Sequence, residues 1–137
     1  MTAVDSKPIP VPTAETRPFW EGCAAGTLLY QRCTACGHVQ FPPRGHCVAC
    51  RGGAVAWERS SGHGTVHSFT VVRRPPSAAF KDEVPYVIAL VDLHEGFRMM
   101  MNVLGAAPDS VHIGQAVQIV FEDIGDGIAL PQARIEE

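Results

Sequence analysis

The sequence predicts a mainly β chain with one short N-terminal helix, and three observations carry that prediction. Two Cys-x-x-Cys pairs, Cys33/Cys36 and Cys47/Cys50, lie close together in the first half. From Gly62 onward, five apolar or alternating runs of strand length are separated by Gly- and Pro-rich turns. Residues 16–25 carry helix start and stop signals. At 137 residues with a hydrophobic fraction of 46%, the chain is long enough to bury one sizeable core. We read it as an N-terminal arm and helix over residues 1–26, a ribbon over 27–60 and a barrel over 61–137.

Residues 1–12 carry Pro8, Pro10 and Pro12, a spacing that favours an extended polyproline-like arm. They hold no basic start followed by an apolar core, so the reading expects no secretory signal. In the helix that follows, Thr16 is the expected N-cap, Pro18 suits the first turn and Gly26 the end. Phe19 and Trp20 are its large apolar residues, with Cys23 one turn beyond Phe19. A helix this short must pack on something. Phe19 and Trp20 are therefore either core or a docking surface for a partner.

Residues 28–32 lead as a strand into the first cysteine pair, and 39–41 lead out. Pro42, Pro43, Arg44 and Gly45 turn the chain towards the second pair, and 55–59 carry it away as a half-buried strand. Strand, knuckle, strand, knuckle is the order of a zinc ribbon. Four thiolates from two tight turns can surround one tetrahedral ion, with Zn–S bonds of about 2.3 Å. Gly37 after the first pair, and Gly52 and Gly53 after the second, are expected to supply the backbone freedom such turns need. The alternative reading is two disulfides or four unrelated thiols. Zn²⁺ ranks ahead of iron, which the same thiolates would also hold. Four protein ligands close the site, so its metal is structural and activates no water. His38 and His46 flank it as surface residues.

The second half reads as a strand over 65–73, a stop at Pro75 and Pro76, and a loop over 75–84 holding Phe80. An almost continuous apolar strand spans 86–93, followed by a turn at Glu95 and Gly96 and a return strand over 97–104. A connection with one helical turn spans 108–114, and an alternating strand 117–122. Asp126 and Gly127 mark a hairpin, and a short last strand begins at 128–130. Five strands with one long central connection suit a small Greek-key barrel of the oligonucleotide/oligosaccharide-binding (OB) type. In the triplet Met99, Met100 and Met101, the middle residue faces away from its neighbours.

Charge divides the chain unevenly. Between residues 32 and 81, seven bases face Glu58 alone, a net of +6. Between 82 and 137, ten acids face Arg98 and Arg134, a net of −8. Binding of single-stranded nucleic acid, which OB barrels and zinc ribbons both perform, is the alternative function, and the acidic barrel half opposes it. A free-standing enzyme is a third reading, but no Gly-x-Ser-x-Gly elbow, phosphate loop or His-Glu-x-x-His motif is present. No run approaches the roughly 20 apolar residues of a membrane helix. Reduced thiols, with Cys23 unpaired, fit a cytoplasmic protein. Arg73 and Arg74 enter the proline-bounded loop that carries Phe80, and a guanidinium binds phosphate with two parallel hydrogen bonds. This is the best ligand-site candidate on composition.

Taken in order, the motifs resemble one family. They are Pro18-Phe19-Trp20-Glu21-Gly22, Gln31-Arg32-Cys33-x-x-Cys36-Gly37 and Cys47-x-x-Cys50, then Gly62-x-Gly64-x-Val66-x-Ser68-Phe69-Thr70-Val71. They continue through residues 85–93, Arg98-Met99 with Asn102-Val103, and Ile113-Gly114-x-x-Val117. The set is similar to the acyl-CoA-associated family once catalogued as a domain of unknown function (number 35), an N-terminal helix and rubredoxin-like zinc ribbon preceding an OB-fold. The resemblance implies an accessory subunit for enzymes acting on CoA thioesters: thiolase-like condensing enzymes, acyltransferases, enoyl-CoA hydratases or aldolases. It implies a hetero-oligomer in which the chain bridges partners or helps form a CoA site. Arg73, Arg74, Phe80, Tyr86 and Asn102 are the expected CoA or acyl-CoA contacts. Two positions depart from the family pattern: Ala79 stands where Gly usually precedes the Phe, and Met101 where a small hydroxyl residue precedes the Asn.

Overall fold

The computed structural model describes residues 7–136. The first half of the expected arm lies outside the described residues, and residues 7–12 take no regular secondary structure. Helix α1 spans Arg17–Ala24. Thr16 does not cap it as expected. Its Oγ1 accepts the Thr13 N–H at 2.8 Å, and Thr13 O accepts the Arg17 N–H at 2.8 Å. The threonine pair thus forms its own turn and draws the hydroxyl away from the helix amides. The end is as expected: Gly26 adopts φ +80°, Thr27 N–H donates to Gly22 O at 2.8 Å, and Gly26 N–H to Cys23 O at 3.0 Å. This paired closure satisfies the last carbonyls. Gly22 itself permits the helix to lie on the following strand, because a Cβ there would stand 2.9 Å from Leu29 Cδ1.

Three strands form the ribbon: β1 (Leu29–Cys33), β2 (Val39–Gln40) and β3 (Val55–Arg59), in the antiparallel order β2-β1-β3. Five more close the barrel: β4 (His63–Val72), β5 (Tyr86–Leu93), β6 (Arg98–Leu104), β7 (Ala116–Gly125) and β8 (Ile128–Ile135). Their order is β4-β5-β6-β8-β7, with β7 returning to β4. β6 and β8 run parallel and the other pairs antiparallel. That is the Greek-key closure of an OB-fold. β4 serves two walls because it bulges between Val66 and Ser68, which turns the strand. Gly64 permits the tight start of that turn, since a Cβ there would meet Asp92 O at 2.5 Å. One-turn 3-10 helices occupy both long connections, Ala78–Phe80 and Pro108–Ser110.

The last strand runs well past the three residues that start it. Pro131 lacks an N–H, which ends a central strand but is tolerated on a poorly paired edge. β8 pairs with β6 only at Val103↔Ala133 and Leu104↔Arg134. Beside this short seam the buried Gln132 takes the place of a backbone bond, its Oε1 accepting the Asn102 N–H at 2.9 Å.

Alternation fills the barrel. On β5, Val87, Ala89, Val91 and Leu93 point inward; on β6, Met99, Met101 and Val103 do so, and Met100 faces out. The core does not stop at the barrel. Phe97 stacks on Tyr30 of β1 with centroids 4.9 Å apart, Phe41 lies 5.9 Å from Phe97, and Phe19 lies 5.3 Å from Phe41. Helix, ribbon and barrel therefore share one aromatic seam, and each such pair contributes about 0.5–1.5 kcal/mol beyond its buried area. Glu95 locks the joint from outside, accepting from Ser60 Oγ at 2.6 Å and Ser61 N–H at 2.8 Å.

Candidate functional site

The four ribbon cysteines converge. Their sulfurs lie within 4.8 Å of one another, with Cys33–Cys50 and Cys36–Cys47 both at 3.6 Å. A tetrahedron with 2.3 Å metal–sulfur bonds has edges of about 3.8 Å, so the spacing fits one thiolate-bound ion. All four are free thiols, which sets aside the disulfide alternative. His38 and His46 are exposed and outside the ligand group.

Backbone geometry prepares the thiolates. Cys36 N–H points at Cys33 Sγ (3.4 Å) and Cys50 N–H at Cys47 Sγ (3.4 Å). The first amide is the main cause that brings the Cys33 thiol down to about 6, and the second lowers Cys47 likewise. At Cys36 the His38 amide also pulls down, but burial and the surrounding sulfurs outweigh it and push the thiol up to about 12. Four sulfurs this close cannot all ionise without a cation between them. The donor set thus asks for a metal.

Each knuckle is a closed turn. Gly37 N–H donates to Cys33 O at 2.8 Å and Arg51 N–H to Cys47 O at 2.9 Å. Cys33 N–H and Cys47 N–H return to His38 O and Gly52 O. The left-handed residue of the first turn is Gly37, as expected, at φ +79°. In the second it is Arg51, at φ +64°, and not Gly52 or Gly53. The equivalence of the two turns places the strained position directly after the fourth cysteine, whatever residue stands there.

Two residues that the cysteine spacing does not reveal hold the second knuckle in place. Gln31 and Gln40 are buried on β1 and β2. Gln31 Nε2 donates to Arg44 O (2.8 Å) and its Oε1 accepts Arg44 N–H (2.9 Å). Gln40 Nε2 donates to Gln31 Oε1 and to His46 O, both at 2.9 Å, and its Oε1 accepts Val48 N–H at 2.9 Å. The available signal was a pair of glutamines on short strands beside the cysteines.

The residues expected to contact a ligand separate into two groups. Phe80, Tyr86 and Asn102 line one cleft of about 270 Å³, which also includes Lys7 and Glu83. The Phe80 and Tyr86 rings lie 6.1 Å apart, and Lys7 Nζ sits 5.6 Å from the Phe80 centroid while pairing with Glu83. Asn102 Nδ2 is engaged by Val87 O at 3.1 Å. Arg73 and Arg74 do not line this cleft. They are exposed where the chain turns out at Pro75 and Pro76, and long cationic side chains stay in water unless paired. Of the expected docking pair, Phe19 is only 4% exposed and belongs to the aromatic seam. Trp20 is half-buried and lines a second, mostly apolar groove of 350 Å³ with Ile88, Met100 and Leu130. Cys23 is buried on the inner face of the helix, and burial pushes its thiol up to about 12, as suits a packing residue.

Comparison with known proteins agrees with this geometry. Residues 20–56 match the model of the ChsH2 rubredoxin-like zinc ribbon domain, and residues 57–122 that of the ChsH2 C-terminal OB-fold domain. A DUF35 domain-containing scaffold protein of Methanothermobacter thermautotrophicus is 40% identical, over 71% of this chain and 73% of that protein. A probable enoyl-CoA hydratase alpha subunit of Thermomonospora curvata is 39% identical over 85% of this chain, which spans only 36% of that longer protein. A solved chain of the Ltp2-ChsH2(DUF35) aldolase superposes with a TM-score of 0.83 at 33% identity, covering 93% of this chain and 98% of that one. With its ribbon and barrel both matched in order, the chain belongs to the DUF35 family, with the ChsH2 pairing of a rubredoxin-like zinc ribbon and an OB-fold.

Proposed function

We propose that this chain is a non-catalytic accessory subunit of an acyl-CoA-processing enzyme, thiolase-like, hydratase or aldolase, within a hetero-oligomer. The observation that carries the reading is the match of nearly the whole chain to a chain of the Ltp2-ChsH2(DUF35) aldolase, joined by the hydratase alpha subunit relative. The chemistry of the site supports it. A closed Cys33, Cys36, Cys47, Cys50 set presents no open position for a substrate or water, so the ion is structural. Zn²⁺ suits the tetrahedral thiolate set and is the metal we assign, ahead of iron. The reduced thiols suit the cytoplasm. The cleft of Phe80, Tyr86 and Asn102 is the place where this subunit would border CoA, with the two rings flanking an apolar arm.

The test is purification of the tagged full chain from its native host, with mass spectrometry of what it retains and assay of the retained enzyme. The expected result is co-purification of an acyl-CoA enzyme whose activity or stability falls when the chain is removed. A chain that stays monomeric in native extract, with every such activity unchanged in its absence, contradicts the proposal.

A further inference from the structure

The walls of the barrel differ in a way that its core does not require. A strand with one solvated face alternates apolar residues inward with polar residues outward. β7 comes closer to the rule: Val117 and Ile119 are buried, Gln118 and Glu122 are exposed, and small Ala116 and half-buried Val120 are its apolar outward positions. β5 alternates in burial but far less in chemistry: its outward positions are Tyr86, Ile88 and Leu90, with Asp92 alone charged at the end of the strand. On β6, Met100 lies directly opposite Leu90 and is 69% exposed. Asn102, the polar member, turns its amide to Val87 O. The strip continues into the groove shared by Trp20, Ile88, Met100 and Leu130.

Its two ends differ in charge. At one end Arg98 Nε donates to Asp92 Oδ1 at 2.6 Å, so the charges there are matched. At the other, Val72 pairs with Tyr86 and β4 runs out into Arg73 and Arg74, which are exposed and have no ion pair among the described residues.

We propose that the β5–β6 wall is an interface for a folded protein that presents an apolar patch edged on one side by carboxylates, which meet Arg73 and Arg74. The inference rests on the accessory-subunit reading and assigns it a face: this is the wall that grips the enzyme. Unbranched Met100 at its centre is suited to such a contact, since a thioether side chain adapts to irregular surfaces. A single nucleic-acid strand needs stacked aromatics along a continuous cationic track, and Ile88, Leu90 and Met100 provide neither. A two-fold copy of the chain would set the arginines against each other or against an Asp92 already neutralised by Arg98.

The test compares the wild-type full chain with Met100→Glu, the double variant Arg73→Glu/Arg74→Glu, and Gln118→Glu on the polar wall. The probe is the acyl-CoA enzyme that the wild type retains from its host, identified and then purified. Met100→Glu is expected to weaken its binding about tenfold or more. The arginine reversal should weaken it less and abolish part of its salt dependence, and Gln118→Glu should leave it unchanged. Metal content and thermal unfolding confirm that the variants fold; Met100→Gln gives a milder second variant. Binding that ignores Met100→Glu overturns the proposal while leaving the accessory reading intact. So does a chain dimer that Met100→Glu splits, or retention that nuclease abolishes. Absence of any acyl-CoA enzyme from the wild-type purification is a different result, and overturns both.

Discussion

The ribbon and the barrel are both small antiparallel units, yet different forces hold them. The barrel buries an apolar set from every strand, including Val66, Val91, Met101, Val117 and Ala133, and closes its sheet, with only the β6–β8 seam poorly paired. The ribbon has three short strands, and two of the buried side chains among them are glutamines. What apolar packing cannot supply there, four thiolates and a buried amide network must. Between the two lies the seam of Phe19, Phe41, Phe97 and Tyr30, which packs the thiolate-bearing unit onto the core-held one. Such an arrangement is consistent with the accessory role proposed above, in which the barrel wall would offer surface to a partner.

Removing the thiolate ligands should separate the two units most clearly. Cys47→Ser, at a fully buried position, should lose the ion and with it the ribbon fold, because structural zinc contributes about 10–16 kcal/mol in small domains. Hydrogen exchange should show ribbon amides losing protection while β5 and β7 keep most of theirs. Equal loss in both units would mean that the barrel has no independent stability. Phe97→Ala attacks the seam and should cost about 3–5 kcal/mol by denaturant unfolding, with the metal retained. Gln40→Leu should cost about 1–3 kcal/mol, because it strands Val48 N–H and His46 O at the second knuckle. It should also speed metal loss to a chelator, which a purely local defect would not do. Arg51→Gly relieves the left-handed position of that knuckle and should stabilise by no more than about 1 kcal/mol, seen in the thermal midpoint.

The smallest expected effect is pH dependence at the joint. Burial tends to raise the Glu95 carboxyl, but the Ser60 hydroxyl and Ser61 amide outweigh it and hold it below its ordinary value. Its contribution is therefore complete above that ordinary value, about 4.3, and fades as pH falls through the lower folded-state value. Glu95→Gln should flatten the acid limb of the stability curve; an unchanged slope would remove Glu95 from the joint.

Legibility in the sequence followed locality. The strand at Tyr86–Leu93 and the hairpin at Asp126 and Gly127 depend on neighbours in the chain, and they stand where the residue pattern places them. The cysteine site is equally legible, because ligand spacing within each knuckle is a local property. Gln31 and Gln40 were not, since their partners at residues 44, 46 and 48 are brought near only by the folded ribbon. Thr16 misled for a related reason: Thr13 competes for its hydroxyl. The cleft was half legible. Phe80, Tyr86 and Asn102, all expected as ligand contacts, line one cleft, but the direction in which Arg73 and Arg74 leave the barrel depends on the turn that follows.

Native mass spectrometry of the tagged chain, purified gently from its host, tests whether this chain is a metal-dependent subunit of an acyl-CoA enzyme. The predicted result is a complex that contains this chain with one bound zinc ion together with subunits of an acyl-CoA enzyme, and that dissociates when the ribbon is stripped of its metal. A metal-free, folded monomer with no enzyme attached would contradict it.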